Sequence, residues 1–511
     1  MSNHLIQELE SLYRDSMTFV RINGDCTGWF PLLSGLFNLI MDNCLKDMKV
    51  VEREITMSHS LVNRFLFATY HVKLAHSVEE LQDLISSDMR VVVLLALCIR
   101  FQVVRCLLPP SFQWKVVDFS WDESARNAAI STGAYVSENN MPAGIARWKN
   151  KLFITIPRWK KGVPASLNYI NINGNQTQTL NPYPSWEDAF VSNKACCVAS
   201  NKTVVSAFRV QVDKCDRLWV VDNGVADMSS GVKQIAPPAL LIFDLNTDQL
   251  LHRYEFKDEE LRDSSVLTSV EVEVIGKNCD AFAYIPDMGS NALLIFSLSK
   301  DDAWRVECPF FHFDPLSNVY RVGGIEFFWN DGVSSAVLSP SKKSGHRDLY
   351  FHPTSSTKQF RISTKFLKDK YVPKEYIFSA AEVVGDRGPL SQATATDFDP
   401  LNNVIFYAQL NRNGISCWNT EKPLTEDNVP LILSDCTVLE FPNDLKVDQE
   451  GTLWILSNRQ SRFLYDSMDN NEVNFRVLSA PTSKLIQGTA CEKMTTMDRA
   501  FSLIKRPKSK C

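Results

Sequence analysis

Seven polar residues stand at the ends or heads of short apolar strand-like segments: Arg158, Asp222, Asn223, Asp287, Asn443, Asp444 and Asn458. Carboxylates and amides in such places can accept hydrogen bonds from the ammonium or hydroxyls of a small ligand. Nearby aromatics such as Phe441, Trp418 or Trp454 would supply walls for stacking. The same residue types also form turns at strand ends with no ligand involved. Proton-transfer chemistry would need a carboxylate or imidazole within hydrogen-bond reach of the substrate. The later part of the chain offers His252, His312, His346 and His352. His352 lies beside Pro353 at a strand end and is expected to make a structural hydrogen bond, so no base stands out. The chain holds no GxSxG, GxxxxGK[ST], HExxH or paired CxxC motif, which leaves those common chemistries without support. No cofactor and no metal is called for.

These residues must be positioned by a repeat. Beyond Trp114 a unit recurs: a turn rich in Asp, Asn, Gly or Lys, then a short apolar-aromatic strand, then a polar or proline stop. It occupies residues 146–155, 212–222, 277–284, 345–351, 397–407 and 447–457. Copies spaced by roughly 50–65 residues fit one four-stranded blade each. No blade buries both faces alone, so the array must close into a ring, which also removes exposed sheet edges. The fold class is therefore all-β, a six-bladed β-propeller over 107–495. Trp114-Lys115-Val116-Val117-Asp118-Phe119 is expected to complete the last blade. A pair of packed β-sheets is the alternative that the single register of the copies disfavours. Ligands in such a ring bind at the mouth of the central channel, where one loop from each blade converges.

Residues 1–88 read as an extension outside the ring, helical or poorly ordered, with amphipathic spacing at 5–13 and 61–74. Residues 89–106 resemble a secretory signal: Met89-Arg90 followed by an apolar run, too short for a bilayer span of about 20 residues. Its internal position leaves two readings open. Either it is a buried element of a larger N-terminal domain, or translation can begin at Met89. Residues 496–511 form a basic tail. The formal charge of −5 leaves no footprint for nucleic acid.

The chain has 13 cysteines. Cys197 (or Cys196) with Cys215, and Cys417 with Cys491, would tie neighbouring strands and fasten the end of the ring. Cys279 with Cys308 is a further pairing, although sequence alone does not fix connectivity. Asn175-Gln176-Thr177 and Asn201-Lys202-Thr203 are N-glycosylation acceptors. Together with the signal-like segment they point to a secreted, extracellular protein.

Several blocks resemble the yellow / major royal jelly protein family of insects. They are Pro157-Arg158-Trp159, Pro182-Tyr183-Pro184-Ser185-Trp186, Phe208-Arg209-Val210, Cys215-Asp216-Arg217-Leu218-Trp219-Val220, Gly323-Gly324-Ile325 with Asp331-Gly332, Leu349-Tyr350-Phe351-His352-Pro353, Cys417-Trp418-Asn419, and Gly488-Thr489-Ala490-Cys491. The resemblance implies a secreted six-bladed propeller that binds or converts dopa- or dopamine-derived catechols or indoles in melanin pigmentation and cuticle darkening. Its other implied roles are biogenic-amine binding without catalysis, and a structural or nutritive glycoprotein. Salivary amine-binding relatives hold the amine with a Thr, an Asn and a Phe near the last repeat. By spacing these map onto Asn443, Asn458 and Gln460, so only the Asn is kept. That departure argues against tight amine binding and leaves a polar pocket able to take a catechol-derived indole. Asn443-Asp444 is also similar to a feature of calcium-dependent lactonase propellers, but no Glu completes a set of oxygen ligands.

Overall fold

Segments such as Leu218-Trp219-Val220-Val221 are apolar at consecutive positions, where a strand with one wet face would alternate. Both faces of such a strand must be covered. The computed structural model describes residues 108–493, apart from 190, 192–199, 229–230 and 232, together with 17–18, 21–22, 25–26 and 30–31. In it these strands build six four-stranded antiparallel sheets. Blade 1 is Gly144–Trp148, Lys151–Thr155, Leu167–Asn171 and Asn181–Pro182. Blade 2 is Ala207–Val212, Arg217–Asp222, Ala239–Asp244 and Gln249–Glu255. Blade 3 is Glu271–Ile275, Asp280–Asp287, Ala292–Ser297 and Asp302–Glu307. Blade 4 is Val333–Leu338, Asp348–Pro353, Lys358–Ser363 and Glu382–Asp386. Blade 5 is Ala393–Asp399, Val404–Gln409, Gly414–Asn419 and Leu431–Ser434. Blade 6 is Phe441–Val447, Thr452–Asn458 and Phe475–Pro481, with Phe112–Trp114 as its outer strand.

The recurring unit is the hairpin between the first two strands of each blade. Its turn carries a residue with positive φ every time: Lys149 (48°), Asp216 (57°), Cys279 (58°), Gly345 (78°), Asn403 (56°) and Gly451 (76°). Gly and Asn adopt that conformation most readily, which is why the turns read as they do.

Period-2 alternation distributes the apolar side chains to the two neighbours of each blade. Leu218 and Val220 pack toward blade 1, whereas Trp219 and Val221 pack toward blade 3. Six hydrophobic clusters result, one between each adjacent pair of blades, including blade 6 with blade 1. The ring closes where Phe112–Trp114 pairs antiparallel with Phe475–Pro481, in the register Phe475↔Trp114 and Val477↔Phe112. The expected closing strand extended to Phe119, but the paired strand stops at Trp114. Beyond it the chain crosses to blade 1, where Phe119 bridges Leu180.

Cys417 is bonded to Cys491, and this holds the returning end of the chain against blade 5. The other expected pairings are corrected. Cys215 is bonded to Cys279, with a Cα–Cα distance of 6.2 Å. That excludes Cys197 as the partner of Cys215 and leaves Cys308 free and buried. The reason is architectural: Cys215 and Cys279 lie in the equivalent first-hairpin turns of blades 2 and 3, so ring packing brings them together across 64 residues.

The chain divides into units 1–107 and 108–511. In the first, the described parts are two short antiparallel pairs, Met17–Thr18 with Phe30–Pro31 and Arg21–Ile22 with Asp25–Cys26. The expected helices at 5–13 and 61–74, the signal-like segment 89–106, Cys197 and the tail 496–511 lie outside the described residues. Among the described residues no helix is long and apolar enough to cross a membrane.

Candidate functional site

Four of the six innermost strands are irregular where they enter the ring. Pairing with the second strand shifts between Ala207 and Val210, Val333 and Ser335, Ala393 and Thr396, and Pro442 and Asp444. An extra residue in a strand breaks the in–out alternation and re-aims a side chain. Phe208, Arg209, Ser334, Thr394 and Asn443 lie in these shifted stretches, and all of them line a single cavity of about 1520 Å³. The loops that follow the second strands add Trp159, Asn223, Thr354 and Gln460, and the segment before blade 4 adds Trp329 and Asp331.

At one side of this cavity Arg209 is 3% exposed. Its Nη2 donates to the Asn443 carbonyl at 2.8 Å and to the Asn443 amide oxygen at 3.5 Å. Its Nε lies 3.4 Å from Asp444 Oδ1. Burial pushes the guanidinium down and the Asp444 carboxyl up, each partly offset by the other. Asn443 Nδ2 in turn donates to Gln460 Oε1 at 3.1 Å.

Asp331 contrasts with Asp222, Asp287 and Asp444, whose carboxylates are held by hydrogen bonds. Its backbone is fixed by Ser355, whose N–H donates to the Asp331 carbonyl at 3.1 Å. Its carboxylate accepts no hydrogen bond among the described residues. Burial alone pushes it up to about 6. A carboxyl group that is poised near neutrality, unpaired and facing a cavity can take up and release a proton at working pH. Aromatic side chains line the same cavity. Trp159 and Phe208 meet edge to face with ring centres 5.3 Å apart, and Phe463 and Trp329 line the same cavity.

The structure sorts the residues nominated from sequence. Asn443 and Gln460 line the cavity together, and Asn223 lines its wall. Asn223 is tied to the backbone of Leu267, accepting at 2.9 Å and donating at 2.8 Å. The others are structural. Arg158 is fully enclosed and donates to the carbonyls of Val163, Val204, Val205, Pro164 and Ala189. Burial pushes it down to about 10. Asp222 accepts from the backbone N–H groups of Val205 and Ser206, both at 2.7 Å, and of Gly224 at 2.9 Å. Asp287, at the equivalent place in blade 3, accepts from Ser265 Oγ at 2.6 Å, Val266 N at 2.9 Å, Arg305 Nη1 at 3.0 Å and the Ser290 hydroxyl. Each aspartate buckles the loop that leads into its own blade. Asp444 accepts from Ile145 N at 2.9 Å and Leu445 N at 3.0 Å, so it is not presented to a cation. Asn458 donates to the Pro142 carbonyl at 2.8 Å and accepts from Gln460 N at 3.1 Å. The nominated walls are also corrected: Phe441, Trp418 and Trp454 belong to packed hydrophobic clusters. His352 is buried with Nε2 3.2 Å from the Ala393 carbonyl, the structural role expected of it. Burial, with the charge of Arg387 adding, holds its imidazole well below the usual range.

Sequence reasoning missed Arg209, Phe208, Trp159, Trp329 and Asp331 as cavity residues. Three of the family-like blocks contain four of them, in Pro157-Arg158-Trp159, Phe208-Arg209-Val210 and Asp331-Gly332. The signal was present, but was read as a marker of kinship rather than of a site.

Comparison with known proteins agrees with those blocks. The family model for major royal jelly protein matches residues 205–491. An L-dopachrome tautomerase, yellow-f, of Drosophila melanogaster is 35% identical over 367 residues, covering 71% of this chain and 84% of the relative. A dopaminechrome tautomerase of the same fly is 35% identical over 408 residues, covering 77% and 87%. The protein yellow of that fly is 33% identical over 391 residues, covering 75% and 71%.

Proposed function

The chain belongs to the major royal jelly protein family, and on that premise we propose that it converts aminochromes, the indoline quinones formed from dopa or dopamine, in melanin pigmentation and cuticle darkening. The observation that carries this reading is Asp331, an unpaired carboxyl pushed up to about 6 inside an aromatic-walled cavity.

Tautomerisation of an aminochrome to its dihydroxyindole moves two protons, one from each saturated ring carbon, to the two quinone oxygens and consumes no oxidant. The Asp331 carboxylate takes a proton from carbon and releases it to solvent, which protonates the oxygens, and loss of the second carbon proton restores the aromatic ring. A base whose pKa lies near 6 is stronger than an ordinary aspartate and is still largely ionised at neutral pH. The flat indoline ring stacks against Trp159, Phe208, Trp329 or Phe463. The disulfides Cys215–Cys279 and Cys417–Cys491, together with exposed Asn175 and Asn201 in glycan-acceptor triplets, support an extracellular setting. A mass loss on glycan removal would be the check on that setting.

The test is to follow the loss of L-dopachrome absorbance with purified protein. Acceleration over buffer is expected, with Asp331→Asn lowering the rate by roughly 10²-fold or more. No acceleration over buffer removes the enzymatic reading. Calorimetric binding of serotonin or dopamine in that case would favour the amine-binding alternative.

A further inference from the structure

We infer that Arg209 and Gln460 form an anion subsite that takes the ring carboxylate of a carboxylated aminochrome, so that the protein prefers such substrates over their decarboxylated counterparts. The inference rests on the reading of the cavity as an aminochrome site.

The direction of the hydrogen bonds carries the argument. Arg209 Nη2 donates to Asn443, while Nε and Nη1 are buried without a hydrogen-bond acceptor. The Asn443 amide passes the polarity on: its oxygen accepts from Arg209, and its nitrogen donates to Gln460 Oε1. Gln460 is thereby oriented with its amide nitrogen as the remaining group, and Nε2 donates to nothing among the described residues. Both side chains line the cavity. This end therefore presents the unused donors of Arg209 and Gln460.

Neighbouring groups leave that character intact. Asp444 balances the charge of Arg209, but its oxygens are already held by the backbone N–H groups of Ile145 and Leu445. His352, the other titratable side chain coupled to Arg209, is neutral. Asn458 Oδ1 is taken by Gln460 N. An ammonium arriving here would meet the positive charge of the Arg209 guanidinium. A carboxylate would accept from Arg209 Nη1 with one oxygen and from Gln460 Nε2 with the other. The face of Phe208, 4.6 Å from the guanidinium carbon, covers one side of that group. One guanidinium plus one amide suits a singly charged planar anion carried by a flat ring.

Calorimetric titration with indole-2-carboxylate and with indole tests this without relying on turnover. Wild type should bind indole-2-carboxylate about ten-fold tighter than indole. The ratio should fall toward one in Arg209→Gln and, separately, in Gln460→Met. Gln460→Met leaves the buried Arg209–Asp444 pair in place and covers the case in which Arg209→Gln does not fold. Equal affinities in wild type, or a preference that survives in folded Gln460→Met and Arg209→Gln, would overturn the subsite. A protein inert toward dopachrome that still shows the ratio would lose the proposed reaction and keep the subsite. Conversion of dopachrome without the ratio would do the reverse.

Discussion

Asn443 donates to Gln460 across 3.1 Å, and so joins the innermost strand of the last blade to the short helix Gln460–Tyr465 beside the cavity. Asn443 is 1% exposed, which makes the contact one that water cannot replace. Asn443→Ala strands the Gln460 oxygen and removes one acceptor of Arg209. The expected loss is about 1–3 kcal/mol, read from the denaturant midpoint. An unchanged midpoint would mean that the amide relay contributes nothing to holding the helix.

The Cys215–Cys279 bond closes a loop of 64 residues between equivalent turns of consecutive blades. Chain-entropy reasoning assigns such a bond about 4 kcal/mol. Cys279→Ser should lower the melting temperature and free the Cys215 thiol. Peptide mapping of the wild type should recover Cys215 linked to Cys279. A Cys279–Cys308 peptide would refute the blade-to-blade staple.

The ring was legible because its signal repeats. Six turns with a positive-φ residue and six doubly buried strands leave a periodic trace that survives divergence. The site was less legible, because it is built from breaks in that period. Arg209 and Asn443 reach the cavity through β-bulges, which alternation cannot anticipate. Asp222 and Asp287 misled for the opposite reason. A strand-end aspartate looks the same in sequence whether it faces a ligand or captures the backbone N–H groups of a loop. The disulfide pairing was hidden because neighbours around a ring are not neighbours along the chain.

Asp331 should be a residue that weakens the fold it serves. Its carboxyl is raised from 3.8 to about 6. The native state therefore holds the proton more tightly than the unfolded chain, and stability falls as pH rises through that window. Asp331→Asn removes the cost of a buried charge and should stabilise the protein at pH 7 by about 1–3 kcal/mol. The gain should shrink toward pH 4. Thermal melts of both proteins across pH 4–7 measure it. A variant less stable than wild type at pH 7 would show that the carboxylate has a stabilising partner.

The central claim is that Asp331 in its ionised form takes the substrate proton. Its most direct test is the pH dependence of kcat/KM for L-dopachrome, corrected for the buffer rate, in wild type and in Asp331→Asn. The wild-type value should rise with pH through about 6, where half of the carboxylate is formed, and level off roughly one to two units higher. The variant should be slower by roughly 10²-fold or more and lose that rise. A variant that retains the wild-type rate and profile would contradict the assignment of Asp331 as the base.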